Sequence, residues 1–163
     1  MRVLLDTDAY SALKRANPAV VDIIRRSEDV LLSTVVAGEL LYGFRCGNWY
    51  ERNRDELDQF IASPFVTVVP VTMATADRFS RIAAALKARG KPIPANDMWI
   101  AAQAMETGAE LLSFDRHYEW VDGPRGTLAG LKGEAIHATT SRLSGSSSGR
   151  WSPAPVSSQS DGR

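Results

Sequence analysis

The sequence predicts an α/β fold built on a mostly parallel β-sheet. Short apolar runs of strand length alternate with longer segments of helical periodicity, the pattern produced by βα units. The first run, Val3 to Leu5, stops abruptly at a carboxylate, Asp6, and reads as a buried strand whose next side chain emerges at the sheet edge. The last run, Glu110 to Phe114, stops in the same way at Asp115. In open α/β sheets the edge outside the carboxyl ends of the strands is where ligands bind.

The elements follow in order. After the first strand, Ala9 to Ala16 reads as a short helix, stopped by Asn17-Pro18. Ala19 to Ser27 is a second. Val30 to Ser33 is a strand, with Ser33 or Thr34 capping a helix that carries Val35, Val36, Glu39, Leu40 and Gly43. Trp49 to Ala62 is a charged amphipathic helix with Leu57, Phe60 and Ile61 turned inward. Val66 to Val71 is a β-branched strand. Thr75 to Ala88 is a helix stopped at Gly90, and Asn96 caps a helix from Asp97 to Thr107 that ends at Gly108.

Size and composition limit the function. The 163 residues, 44% of them hydrophobic, suit one domain with one core, placed at residues 1–133. Residues 134–163 form a separate Ser/Gly/Pro-rich tail; nine serines fall between Thr139 and Arg163, and such a segment buries too little surface to order itself. Nineteen basic and nineteen acidic residues cancel, so nucleic-acid contact would need local basic clusters. Cys46 is the sole cysteine, which excludes a disulfide framework, and His117 and His137 are too few for a typical zinc site. No apolar run reaches the ~18–20 residues of a membrane span, and Asp6 interrupts any signal-peptide core, so the expected location is the cytoplasm, without membrane contact.

Four carboxylates stand out, and each has a plain structural reading. Asp6 and Asp115 can be turn acids, and Asp8, just before Ala9, reads as a helix cap. Glu39 shares an apolar helix face with Val35 and Val36, where a charge must be paired, solvated or functional. Asp97 suits a helix first turn, yet it shares a face with Ile100, Ala101 and Ala104. Taken together, two strand-end acids and two inward helix acids can meet at one rim of a parallel sheet. Packed carboxylates raise one another's pKa values, and a hard divalent cation relieves the repulsion. Oxygen donors suit Mg²⁺ or Mn²⁺, which activate water and stabilise in-line attack at phosphorus.

These motifs resemble the PIN-domain ribonucleases, and within them the VapC toxins of bacterial toxin–antitoxin pairs. The residues that carry the resemblance are Leu4-Leu5-Asp6-Thr7, Ala37-Gly38-Glu39-Leu40-Leu41-Tyr42-Gly43, Asn96-Asp97-Met98-Trp99-Ile100-Ala101-Ala102 and Leu111-Leu112-Ser113-Phe114-Asp115-Arg116-His117-Tyr118, in the family's order. The resemblance implies a three-layer α/β/α sandwich, Mg²⁺- or Mn²⁺-dependent RNA cleavage, a cognate antitoxin protein as inhibitor, and a homodimer. It assigns metal binding and catalysis to Asp6, Glu39, Asp97 and Asp115, and places Ser113 near the fourth acid. The chain departs from the family after Asp115, where Thr127-Leu128-Ala129-Gly130-Leu131 replaces a more apolar final strand.

Arg45, Arg78, Arg81, Lys87, Arg89, Lys91 and Arg116 are candidates for phosphate contacts, and Tyr42, Trp49, Tyr50 and Trp99 for base stacking. Two other functions fit parts of the pattern. Asp6-Thr7-Asp8 resembles the nucleophile motif of haloacid-dehalogenase-type phosphatases, and a catalytically inactive PIN fold would use its acids only to bind a basic partner.

Overall fold

The computed structural model describes residues 1–122 together with the backbone of residues 129–130. In chain order the elements are β1 (Arg2–Leu5), α1 (Thr7–Lys14), α2 (Pro18–Arg26), β2 (Asp29–Ser33), α3 (Thr34–Cys46), α4 (Tyr50–Ile61), β3 (Val66–Val69), α5 (Met73–Ala88), α6 (Ala95–Thr107), β4 (Glu110–Ser113), a 3₁₀ turn (Arg116–Trp120) and β5 (Ala129–Gly130). The tail at residues 134–163, read from the sequence as disordered, lies outside the described residues.

The five strands lie in the order β3-β2-β1-β4-β5, every pair parallel. The chain first walks outward from β1 to β2 and β3, then returns to β4 on the other side of β1. Because parallel crossovers are right-handed, the outward leg leaves α1–α4 on one face and the return leg leaves α5 and α6 on the other. The result is the three-layer α/β/α arrangement anticipated from the sequence. With both faces covered, the central strands have no polar side: Val3, Leu4, Leu5, Val30, Leu31, Leu32, Leu111 and Leu112 are all buried. The direction of travel reverses between β1 and β4, so a crevice opens there at the carboxyl ends.

Five helix starts shift by one or two residues from the sequence reading, and two of the shifts bear on the acids. Helix α1 begins at Thr7, because the Asp6 carboxylate accepts the Ala9 N–H at 2.8 Å. Asp6, not Asp8, is therefore the cap, and Asp8 is an exposed acid in the first turn. Helix α6 begins at Ala95 without a side-chain cap, which frees Asn96 for another role. Strand β3 also ends earlier, at Val69, since Pro70 has no N–H to give the ladder. Gly108 closes α6 as anticipated, with a left-handed φ of 64° that favours glycine.

The final strand exists, but it is short: Ala129 and Gly130 pair with Leu112 and Ser113. Among the described residues no helix is long and apolar enough to cross a membrane.

Candidate metal centre

The site assembles on the β1–β4 crevice. The register that pairs Leu5 with Leu112 carries Asp6 alongside Ser113, and the Asp6 N–H donates to the Leu112 carbonyl at 3.2 Å. The Ser113 hydroxyl donates to Asp6 Oδ2 and accepts the Asp115 N–H at 2.9 Å. One serine thus sets both strand-end acids. Asp6 is 5% exposed, and burial pushes its carboxyl up to about 6 despite the opposing bonds from Ser113 and Ala9.

The other two acids arrive on helices. Glu39, half-buried on α3, accepts from the Thr7 hydroxyl through Oε2 and from the Asn96 amide through Oε1 at 2.7 Å. Asp97 projects from the first turn of α6, and its Oδ2 lies 3.0 Å from His117 Nδ1. The same nitrogen lies 3.1 Å from Asp115 Oδ2, while Asp115 Oδ1 caps the 3₁₀ turn by accepting the His117 N–H at 2.9 Å. Burial raises the Asp97 carboxyl above the usual range, and the charges of Asp115 and Glu39 add to it against the bond from His117.

The four acids predicted from the sequence therefore converge. Asp97 raises Asp6, Asp115 and Glu39 raise Asp97, and the buried Tyr118 phenol beneath them feels all four. Burial first, and then the fields of Asp97, Asp6, Glu39 and Asp115, hold that phenol far above its ordinary range. Each structural reading also holds in part: Asp6 and Asp115 cap the turns that follow them and still face the crevice. Glu39 is satisfied by a hydroxyl and an amide in place of the arginine that a buried ion pair would have supplied.

Sequence reasoning missed three contributors. His117, too isolated in sequence for a zinc site, bridges two of the acids. Asn96, expected as a helix cap, holds Glu39 instead. Thr7, part of the first motif but with no role of its own there, bonds Glu39 from the other side. Their adjacency to Asp115, Asp97 and Asp6 was the available signal.

The proposed nucleic-acid contacts divide. Trp99 stacks on Phe79 at 4.0 Å, locking α5 to α6, so it is not a free base platform. Arg45 covers the Tyr50 ring at 4.6 Å, Arg81 pairs with Asp77, and Arg89 is held by Asp122 and the Trp120 carbonyl. Tyr42 and Trp49 are exposed. Lys91 lies 4.9 Å from the centre of the Trp120 ring, which in turn lies 5.8 Å from His117, so this pair borders the acids. Trp120 was not among the aromatics singled out from the sequence.

Comparison with known proteins decides the family. The PIN domain family model matches residues 3–124, most of the chain. The chain belongs to the PIN domain family. Ribonuclease VapC2 of Haemophilus influenzae is 28% identical to this PIN domain over 117 residues, 69% of this chain and 86% of the relative. DNA-bound VapBC from Salmonella typhimurium shares the fold with a TM-score of 0.69 at 23% identity, covering 77% of this chain and 96% of that chain. FitAcB from Neisseria gonorrhoeae gives a TM-score of 0.64 at 26% identity, over 74% of this chain and 94% of that chain. PIN membership also goes against the phosphatase reading of Asp6 and Asp8, and Asp8 is an exposed first-turn acid of α1 while Asp6 is buried.

The donor set of this PIN domain fits a divalent cation. Asp97, Asp115 and His117 each offer a donor atom within 4.8 Å of the others, the fields of Asp6 and Glu39 reach them, and burial opposes ionisation of Asp6 and Asp97. A cation beside them would oppose that penalty and favour ionised Asp6 and Asp97.

Proposed function

We propose that this chain is a divalent-metal-dependent endoribonuclease of the VapC type, the toxin of a toxin–antitoxin pair. The observation that carries the reading is the convergence of Asp6, Glu39, Asp97 and Asp115 on the topological switch point between β1 and β4. Likeness to a relative named ribonuclease VapC2 supports RNA as substrate and hydrolysis as reaction. Solved VapBC and FitAcB assemblies of the same fold support a protein antitoxin as partner. Mg²⁺ or Mn²⁺ is the cofactor class, and a homodimer in the cytoplasm is the working form.

In this mechanism Asp6, Asp97, Asp115 and Glu39 hold the cation. When bound, it supplies the positive charge that stabilises a phosphodiester under attack and eases deprotonation of the attacking water. Ser113 keeps Asp6 and Asp115 at fixed separation, while Thr7 and Asn96 aim the Glu39 carboxylate from two sides. Such supporting bonds confine the acids to one geometry and reduce the reorganisation required at each turnover. Lys91 and Trp120 form one border of the crevice, suited to a phosphate and an unpaired base.

Cleavage of a structured RNA by purified protein with Mg²⁺, Mn²⁺ or EDTA, beside Asp97→Asn prepared identically, tests the proposal. Metal-dependent cutting that disappears in the variant supports it. A folded wild type that binds no divalent metal and cuts no RNA overturns it, leaving a PIN fold that only binds partners. Growth arrest on expression, relieved by a co-expressed antitoxin, tests the toxin half separately.

A further inference from the structure

Among the described residues, His117 is the one imidazole that meets the carboxylates. Its Nδ1 lies 3.0 Å from Asp97 Oδ2 and 3.1 Å from Asp115 Oδ2. One donor atom from each of Asp97, Asp115 and His117 falls within a common span of 4.8 Å. Around an octahedral ion with bonds of ~2.1 Å, adjacent donors sit ~3.0 Å apart, which is bond length multiplied by √2. The two nitrogen–oxygen separations, hydrogen-bond contacts in the metal-free fold, also match that edge. We propose that His117 is a ligand of the metal centre, making it a mixed oxygen–nitrogen site that favours Mn²⁺ and related first-row ions over Mg²⁺. This rests on the metal-dependent reading above and adds to it a ligand and a metal preference.

The ring is placed for this role by its surroundings. The His117 N–H is committed to Asp115 Oδ1 at 2.9 Å, so backbone and side chain both hold to the same acid. Trp120 flanks the imidazole with a centroid separation of 5.8 Å and the rings tilted by 50°. The side chain is 38% exposed, so an ion can reach it from solvent without a change of fold. Mg²⁺ keeps its waters and takes oxygen donors, whereas imidazole binds first-row transition ions well. An oxygen-only cluster would discriminate far less between the two.

The test uses full-length protein, freed of metal by chelation and titrated with Mn²⁺ at one fixed pH. Electron spin echo modulation of bound Mn²⁺ reads nitrogen coordination directly, independent of activity. Wild type is expected to show directly coordinated ¹⁴N, converted to the ¹⁵N pattern by ¹⁵N-histidine labelling. His117→Ala should lose the signal and bind Mn²⁺ about tenfold more weakly, in the range of lost site-supporting groups. Its Mg²⁺ affinity, measured by competition, should stay within about twofold, and His137→Ala should leave both unchanged. Bound Mn²⁺ without nitrogen coupling in labelled and unlabelled wild type overturns the role of His117 and spares the carboxylate centre. Absence of Mn²⁺ and Mg²⁺ binding by folded wild type overturns the centre itself.

Discussion

Ser113 donates its hydroxyl to Asp6 across adjacent parallel strands, and the same oxygen accepts the Asp115 N–H at 2.9 Å. A single side chain therefore ties the first strand's terminal acid to the last acid of the site, 109 positions later in sequence (115 − 6). It also opposes the rise in the Asp6 pKa that burial causes.

Ser113→Ala should weaken divalent-metal binding about tenfold while the protein stays folded. Its cost in stability should be about 2 kcal/mol, because both hydrogen bonds of the hydroxyl are lost and their partners are left unsatisfied. Calorimetric titration and thermal melting of the same samples measure the two effects. Unchanged metal affinity would remove Ser113 from the support of the site.

Asp6→Asn is expected to trade activity for stability. Asparagine still caps α1 through its amide oxygen, while the amide nitrogen that replaces Oδ2 donates, so the Ser113 hydroxyl must turn and accept. The substitution removes a carboxylate whose ionisation burial opposes, up to about 6 from 3.8. That shift corresponds to at most about 3 kcal/mol of relief at neutral pH. Metal-free Asp6→Asn should melt higher than metal-free wild type at pH 7 and cleave RNA at least ~100-fold more slowly.

The sign of the pH dependence follows from the same shift. A carboxyl whose folded pKa is raised stabilises the fold fully below its unfolded value and loses that contribution as pH rises through the folded value. Metal-free protein should therefore lose stability between about pH 4 and about pH 6, with Asp97 shifting in the same direction. Added Mn²⁺ should restore stability more at pH 7 than at pH 5, because the ionised carboxylates are the ligands. Melting curves across pH with EDTA or Mn²⁺ would expose an opposite trend.

Lys91→Ala should raise KM for RNA several-fold, flatten its salt dependence and leave kcat within about twofold, the mark of a phosphate contact. Trp120→Ala should raise KM for single-stranded segments more than for duplex ones. Steady-state kinetics at two salt concentrations separate these outcomes from general damage to the site.

Gln103 is buried on α6, accepting from the Ser33 hydroxyl and donating to the Val69 carbonyl at 3.0 Å. It binds the helix that bears Asp97 to the ends of β2 and β3. Gln103→Leu leaves the Ser33 hydroxyl and the Val69 carbonyl without this partner and should cost about 2 kcal/mol, seen as a lower denaturant midpoint.

What the sequence determined by itself is the local chemistry: which runs are strands, where helices stop, and which acids sit at strand ends or on inward helix faces. Apolar runs such as Val3 to Leu5 allow little but a strand covered on both sides, and Gly108 can stop α6 because it alone adopts left-handed backbone cheaply. The family likeness was legible because all four acidic motifs occur in order. Only the tertiary structure decided how those acids are supported. Whether Asn96 caps its own helix or holds Glu39 depends on where α3 lies, since an amide can bond equally well to either. Whether His117 belongs to the site depends on the distance between two chain segments twenty residues apart, 3.0 Å in the fold and unspecified by any local pattern. Side-chain hydrogen bonds are short and directional, so partners across the sheet edge are fixed by packing, while strand and helix are fixed by periodicity along the chain.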